Sequence, residues 1–239
     1  MLGWLRAMGA LLCVMILVSP AVAGEDLLAQ GAAAQKTGKN EQAVELLGQY
    51  LQDHPDAVEA RRLRALALAA LQRGPEALEE LDRGLKAQPE NISLLLAQGR
   101  ILKGLGRPPE AAAVFSRVIK LDPKNVEAYT ERADCLAREG DFDGAIKDFN
   151  RAVRLAPRDP WVVHKRGMIR FCQGKYEAAV ADFTQAIRMD PQEAGFYFPR
   201  GELYLRHLHQ KDKAIADFKE GCRLGHKLCC RELEMLEVK

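Results

Sequence analysis

The residues of this 239-residue chain best suited to redox, nucleophilic or metal chemistry are Cys13, Cys135, Cys172, Cys222, Cys229 and Cys230, with His54, His164, His207, His209 and His226. Their spacing matches none of the familiar arrangements for such chemistry. There is no C-x-x-C pair for dithiol exchange, no C-x-x-C-H for haem attachment and no H-E-x-x-H to set two imidazoles on one helix face. His207 and His209 stand two apart, and side chains two apart on a helix point in different directions. A metal site made of His207, His209, His226 and a cysteine therefore gives way to surface histidines. No phosphate loop and no G-x-S-x-G elbow opens another route to catalysis. The expectation is a protein that is not an enzyme and takes no cofactor.

Cys135 and Cys172 are isolated on helical segments and read as packing residues. Cys222, Cys229 and Cys230 cluster near the C-terminus, where Cys222 has either of two neighbours as a disulfide partner. That question depends on compartment, which the N-terminus addresses. Arg6 precedes an apolar run from Ala7 to Val18, followed by Ser19-Pro20 and the small-residue motif Ala21-Val22-Ala23. This is the pattern of a signal peptide over residues 1–23, cleaved after Ala23. An uncleaved anchor over Leu2–Val18 is the weaker alternative, because the run is short for a membrane span and Pro20 breaks it. A lipoprotein signal at Cys13 fits worse, since bulky Leu12 precedes the cysteine. The expected location is periplasmic or secreted, with no stable membrane insertion after cleavage. Removing Arg6 leaves 34 basic against 33 acidic residues, so nucleic acid is not an expected partner.

The elements that carry these residues follow from a strict period. Pro55, Pro89, Pro123, Pro157 and Pro191 are each 34 residues apart, and the next step reaches Gly225. Each proline ends a similar segment, LGQYLQDHP, LDRGLKAQP, FSRVIKLDP, FNRAVRLAP and FTQAIRMDP. With proline as position 32, small residues recur at position 8 (Gly31, Ala65, Gly99, Ala133, Gly167) and position 20 (Ala43, Ala77, Ala111, Ala145, Ala179). Large ones recur at position 24 (Leu47, Leu81, Phe115, Phe149, Phe183). This resembles the tetratricopeptide repeat, whose 34-residue unit follows W-x-x-L-G-x-x-Y, then A-x-x-x-F, then P. The resemblance covers essentially all of the chain after the signal, as repeats 24–57, 58–91, 92–125, 126–159, 160–193 and 194–228.

It implies an all-α, right-handed α-solenoid of about six helical hairpins. Residues 227–239 read as a capping helix, with Leu228, Leu233 and Leu236 apolar. One hairpin cannot bury its apolar stripe alone, whereas stacked hairpins share a continuous core. Repeat two is the poorest match, with Arg61 and Arg64 at positions that are usually apolar. Repeat six, with Tyr197, Gly201, Tyr204, Ala214 and Phe218, is one residue longer between its small sites. The extra residue is expected in the turn at His209–Lys211.

The resemblance also implies a function. In this family the first helix of each hairpin lines a concave groove through positions 2, 5, 6, 9, 12 and 13. Those positions place Trp161, His164, Lys165, Met168, Phe171 and Phe198 in one apolar and aromatic patch, beside Glu131 and Asp134. The expected activity is a scaffold that binds a peptide or helix of a partner protein, with basic and hydrophobic character in the ligand. The Lys and Asn pattern of the chaperone-binding carboxylate clamp is absent. The alternative is a permanent structural component of an envelope complex whose groove stays empty. The spacing of Cys222 and Cys230 resembles the disulfide hairpins of Sel1-like repeats, which implies that bridge rather than Cys222–Cys229, contributing about 2 kcal/mol for so short a loop.

Overall fold

The computed structural model describes residues 20–237, so the signal peptide expected over 1–23 lies almost entirely outside the described residues. Every element is helical among those residues. Five hairpins follow one another as α1 (Pro20–Lys36) with α2 (Asn40–Asp53), α3 (Val58–Ala70) with α4 (Gly74–Ala87), α5 (Ile92–Gly104) with α6 (Pro108–Leu121), α7 (Val126–Arg138) with α8 (Phe142–Leu155), and α9 (Pro160–Cys172) with α10 (Tyr176–Met189). In the sixth, the first helix is composite: a 3-10 turn Ala194–Phe196, then α11 (Tyr197–Glu202), then a π turn Leu203–His207. It pairs with α12 (Lys211–Arg223), and α13 (Lys227–Glu237) closes the end. Each helix packs chiefly on its sequence neighbours, which makes the molecule an α-solenoid.

Local chemistry explains the helix starts. Asn91, Asn125 and Asp159 occupy the same place in successive repeats and cap α5, α7 and α9, their side chains accepting from the backbone N–H of Leu94, Ala128 and Trp161 at 3.1, 2.9 and 2.9 Å. Such caps satisfy backbone donors that the helix leaves unpaired, for about 1 kcal/mol each. Within a hairpin, the first helix ends in a left-handed residue: Gly38, Gly106, Gly140 and Gly174, with φ between 71° and 84°. Gln72 (φ 62°) and His209 (φ 53°) take the same conformation without being glycine.

The core alternates small and large. Phe115, Phe149, Phe183 and Phe218 are fully buried. A methyl group placed on Gly99 would meet the Phe115 ring at 2.6 Å, and one on Gly167 would meet the Phe183 ring at 2.8 Å. The absence of a side chain at position 8 is what lets the aromatic at position 24 lie across the first helix.

The structure corrects the expected site of the extra residue in repeat six. His209 stands five residues before Ala214, just as Gly174 stands five before Ala179, so the turn is of ordinary length. The extra residue lies earlier, in the π turn, where the N–H of Leu208 donates to the carbonyl of Leu203 at 3.0 Å. Widening one helical turn keeps its backbone groups bonded, whereas a longer tight turn would expose them.

Arg61 and Arg64 of repeat two, out of place in an apolar pattern, share one buried partner. They donate to the two carboxylate oxygens of Glu80 at 3.0 and 2.7 Å, and Glu80 is only 4% exposed. The same link recurs further along. Arg132, Arg166 and Arg200 each grip a buried acid of their own hairpin with two bonds, Asp148, Asp182 and Asp217, at 2.6–3.0 Å. Each also reaches back to the preceding hairpin, to Ser116, Asn150 and Thr184, at 3.0 Å in all three cases. A planar guanidinium, with five donors in a fixed fork, can tie three helices together in this way.

Candidate functional site

Helix α9 builds the centre of the candidate site. Val162, Val163, Gly167 and Ile169 face inward, so the opposite face carries Trp161, Lys165, Met168 and Cys172 at helical spacing. Trp161 is 48% exposed and Met168 36% exposed, and both are large apolar side chains turned to solvent. Trp161 is held in place without being covered: the edge of its ring system meets Phe196, with centroids 4.8 Å apart. His164 lies beneath, 5.0 Å from the Phe196 ring and 5.3 Å from Phe183. Its Nδ1 is buried with no protein partner, and burial pulls its pKa down to about 4, opposed by nearby Glu193. At neutral pH this imidazole is an uncharged support for the tryptophan.

The remaining residues of the expected patch sit elsewhere. Phe171 is partly buried against Tyr176 and His207, at centroid distances of 6.0 and 5.5 Å, and the π turn brings His207 to 4.2 Å from Tyr176. Phe198 lies towards the C-terminal end, stacked on His226 at 5.3 Å and near Phe218 at 6.2 Å. These two aromatics fill gaps between hairpins, while Trp161 and Met168 remain presented outward.

Glu131 and Asp134 are each matched by a base on a neighbouring hairpin. Lys165 donates to Asp134 at 2.7 Å, Lys103 bonds Glu131 and stands 3.9 Å from Asp134, and Arg100 bonds Glu127. The surface carrying Glu131 and Asp134 is thus a band of cross-hairpin ion pairs rather than an open acidic field. The band borders the Trp161–Met168 face through Lys165.

At the C-terminal end, Cys222 and Cys230 form a disulfide with Cα atoms 4.7 Å apart. It fastens α13 to α12 over a small core in which Cys229 is fully buried beside Phe218. Burial pushes the Cys229 thiol up to about 12 and the Cys135 thiol up to about 11, so both are protonated and unreactive at neutral pH. Among the described residues, no three His, Cys, Asp or Glu side chains converge to hold a metal ion, and no helix is long and apolar enough to cross a membrane.

Two features escaped the reading of the sequence. Phe196, the ring that seats Trp161, lies in the irregular start of the sixth hairpin. The arginine–acid links had a visible signal, arginine at position 7 and an acid sixteen residues later, as in Arg64–Glu80, Arg132–Asp148 and Arg166–Asp182.

No curated protein sequence matches the chain significantly. Solved structures match its fold. A protein described as pilF of Pseudomonas aeruginosa superposes with a TM-score of 0.72 at 19% identity, over 89% of this chain and 97% of that one. A tetratricopeptide repeat protein from Parabacteroides merdae gives 0.69 at 23% identity, over 91% and 85%. YrrB, described as a TPR protein with an unusual peptide-binding site, gives 0.61 at 18% identity, over 80% and 100%. The family model for the tetratricopeptide repeat matches residues 28–92 and 96–160, more than half of the chain, and a second TPR model matches residues 167–207. With the 34-residue period, the hairpins and these matches together, the chain belongs to the tetratricopeptide repeat family.

Proposed function

We propose that this protein is an exported scaffold that holds a peptide or helix of a partner protein in the groove of hairpins four to six. The observation that carries the reading is the exposure of Trp161 and Met168, seven residues apart on one face of α9. Large apolar side chains that the fold leaves uncovered mark contact sites, and a tryptophan already seated on Phe196 loses little freedom on binding. Lys165 and the acids Glu131 and Asp134 form a polar border that exchanges partners with a charged ligand. Phe171 and Phe198 shape the groove wall from within. Periplasmic or secreted location rests on the Arg6, Ala7–Val18 and Ala21-Val22-Ala23 pattern.

Affinity capture from an envelope extract, with the parent beside a Trp161→Ala, Met168→Ala double variant of unchanged circular dichroism, tests the groove. Capture of one partner by the parent alone supports it, and equal capture by both overturns it. A second reading, permanent assembly into a larger envelope complex, draws on Leu228 and Met235, 48% and 43% exposed and seven apart on α13. That reading expects salt-stable co-purification in fixed stoichiometry, insensitive to the double variant and lost with Leu228→Glu.

A further inference from the structure

From hairpin two to hairpin six, the arginine links of the array are interrupted once, at hairpin three. In hairpins four, five and six, one arginine joins a buried aspartate of its own second helix to a polar side chain of the preceding hairpin. In hairpin three the corresponding positions hold Gln98 for the arginine, Val114 for the aspartate and Asp82 for the polar side chain. Gln98 reaches back to α4 but has only Val114 facing it on α6, and a cleft of about 430 Å³ opens there between α4 and α6, floored by α5. Its apolar walls are Leu78, Leu102 and Val114.

The polar groups of the cleft call for a donor. Gln98 Nε2 donates to Asp82 Oδ1 at 2.7 Å, and because an ionised carboxylate only accepts, this bond fixes which end of the amide is which. Gln98 Oε1 is consequently an acceptor, buried and without a protein donor. Asp82 forms no salt bridge among the described residues, and its second carboxylate oxygen is free. Of the bases nearby, Arg83 pairs with Glu79, Arg107 with Glu110, and Arg117 donates to the carbonyl of Pro89 at 3.1 Å, while exposed Lys86, one turn along α4 from Asp82, forms no salt bridge among the described residues.

We propose that this cleft binds the guanidinium of an arginine side chain presented by a partner protein, in the place that the array's own arginines fill in hairpins four to six. The guanidinium pairs with the free oxygen of Asp82, the Gln98 amide, whose Oε1 is closed to solvent in this structure, turns outward to accept from the same fork, and the methylene stem lies on Leu78, Leu102 and Val114. A lysine, a single rotating donor group, matches two adjacent acceptors less well than a planar fork does. The cleft lies between second helices of adjacent hairpins, so it is a separate site from the groove of α9 and stands or falls independently of that groove.

The test is a nuclear magnetic resonance titration of the full chain with N-acetyl-argininamide, reading the Gln98 side-chain amide and the backbone of Asp82. Saturable shifts at both are expected, with the citrulline and lysine analogues binding more weakly by about tenfold. A Gln98→Arg, Val114→Asp double variant restores the internal link, so it should lose the response and melt at a higher temperature. If that variant does not fold, Asp82→Asn, at an exposed position, serves instead and should weaken binding about tenfold. Absence of saturable shifts, equal binding of the citrulline analogue, or an unchanged response in these variants overturns the proposal.

Discussion

Hairpins one to three and hairpins four to six follow the same 34-residue plan but hold together differently. In the second set each hairpin carries a phenylalanine at position 24 and a buried arginine–aspartate link. In the first set position 24 is leucine twice, and the link exists only in hairpin two, with Glu80 as its acid. Hairpin three has buried Val114 where its later counterparts have aspartate. Buried charge adds little net stability when intact but costs heavily when one member is removed, because the other is left without water or a partner. The C-terminal half should therefore be the more brittle part, and it is the half that presents Trp161.

Removal of Asp182, which is 2% exposed, hydrogen-bonded by Arg166 and ion-paired with Arg170 at 2.9 Å, gives the largest expected effect. Asp182→Ala should cost about 3–5 kcal/mol in urea unfolding, whereas Val114→Ala at the matching place in hairpin three should cost about 1–2 kcal/mol. Equal losses would erase the distinction between the halves.

Acid should single out the same half. His164 has a folded pKa of about 4 against an ordinary value of 6.5, so the unfolded chain binds its proton first as pH falls. Its contribution is intact above pH 6.5 and lost progressively towards pH 4, by up to about 3 kcal/mol. Thermal melts across that window should show the loss, and His164→Phe should reduce it. A parent and variant with the same pH profile would mean the imidazole is not buried in this way.

Reduction of Cys222–Cys230 should follow, costing about 2 kcal/mol and raising amide exchange in α13 ahead of α12. The smallest effect belongs to the first half. Gln72 is left-handed where most hairpins use glycine, so Gln72→Gly should stabilise hairpin two by about 1 kcal/mol in the same unfolding assay.

The fold was legible because its determinants are periodic: a proline every 34 residues and small residues opposite large ones can be read along one dimension. The site was less so. Trp161 and Phe171 both fall on groove positions of one helix, yet Trp161 is 48% exposed and Phe171 is partly buried. What separates them is the neighbouring hairpin, which brings Phe196 under one and His207 against the other. Glu131 and Asp134 looked like a free acidic surface because Lys103 and Lys165 lie 28 and 31 residues away from them in sequence. Arg61 and Arg64 looked like flaws in the pattern because Glu80, which they share, sits on the next helix.

The π turn at Leu203–His207 confines a one-residue insertion to a single widened coil of helix, while the turn after it and the packing of Phe218 on Gly201 keep their usual form. In the language of lattices this is a point defect and not a dislocation. The planes on either side of it remain aligned, and a length change that would have thrown every later contact out of step is healed before the next hairpin begins.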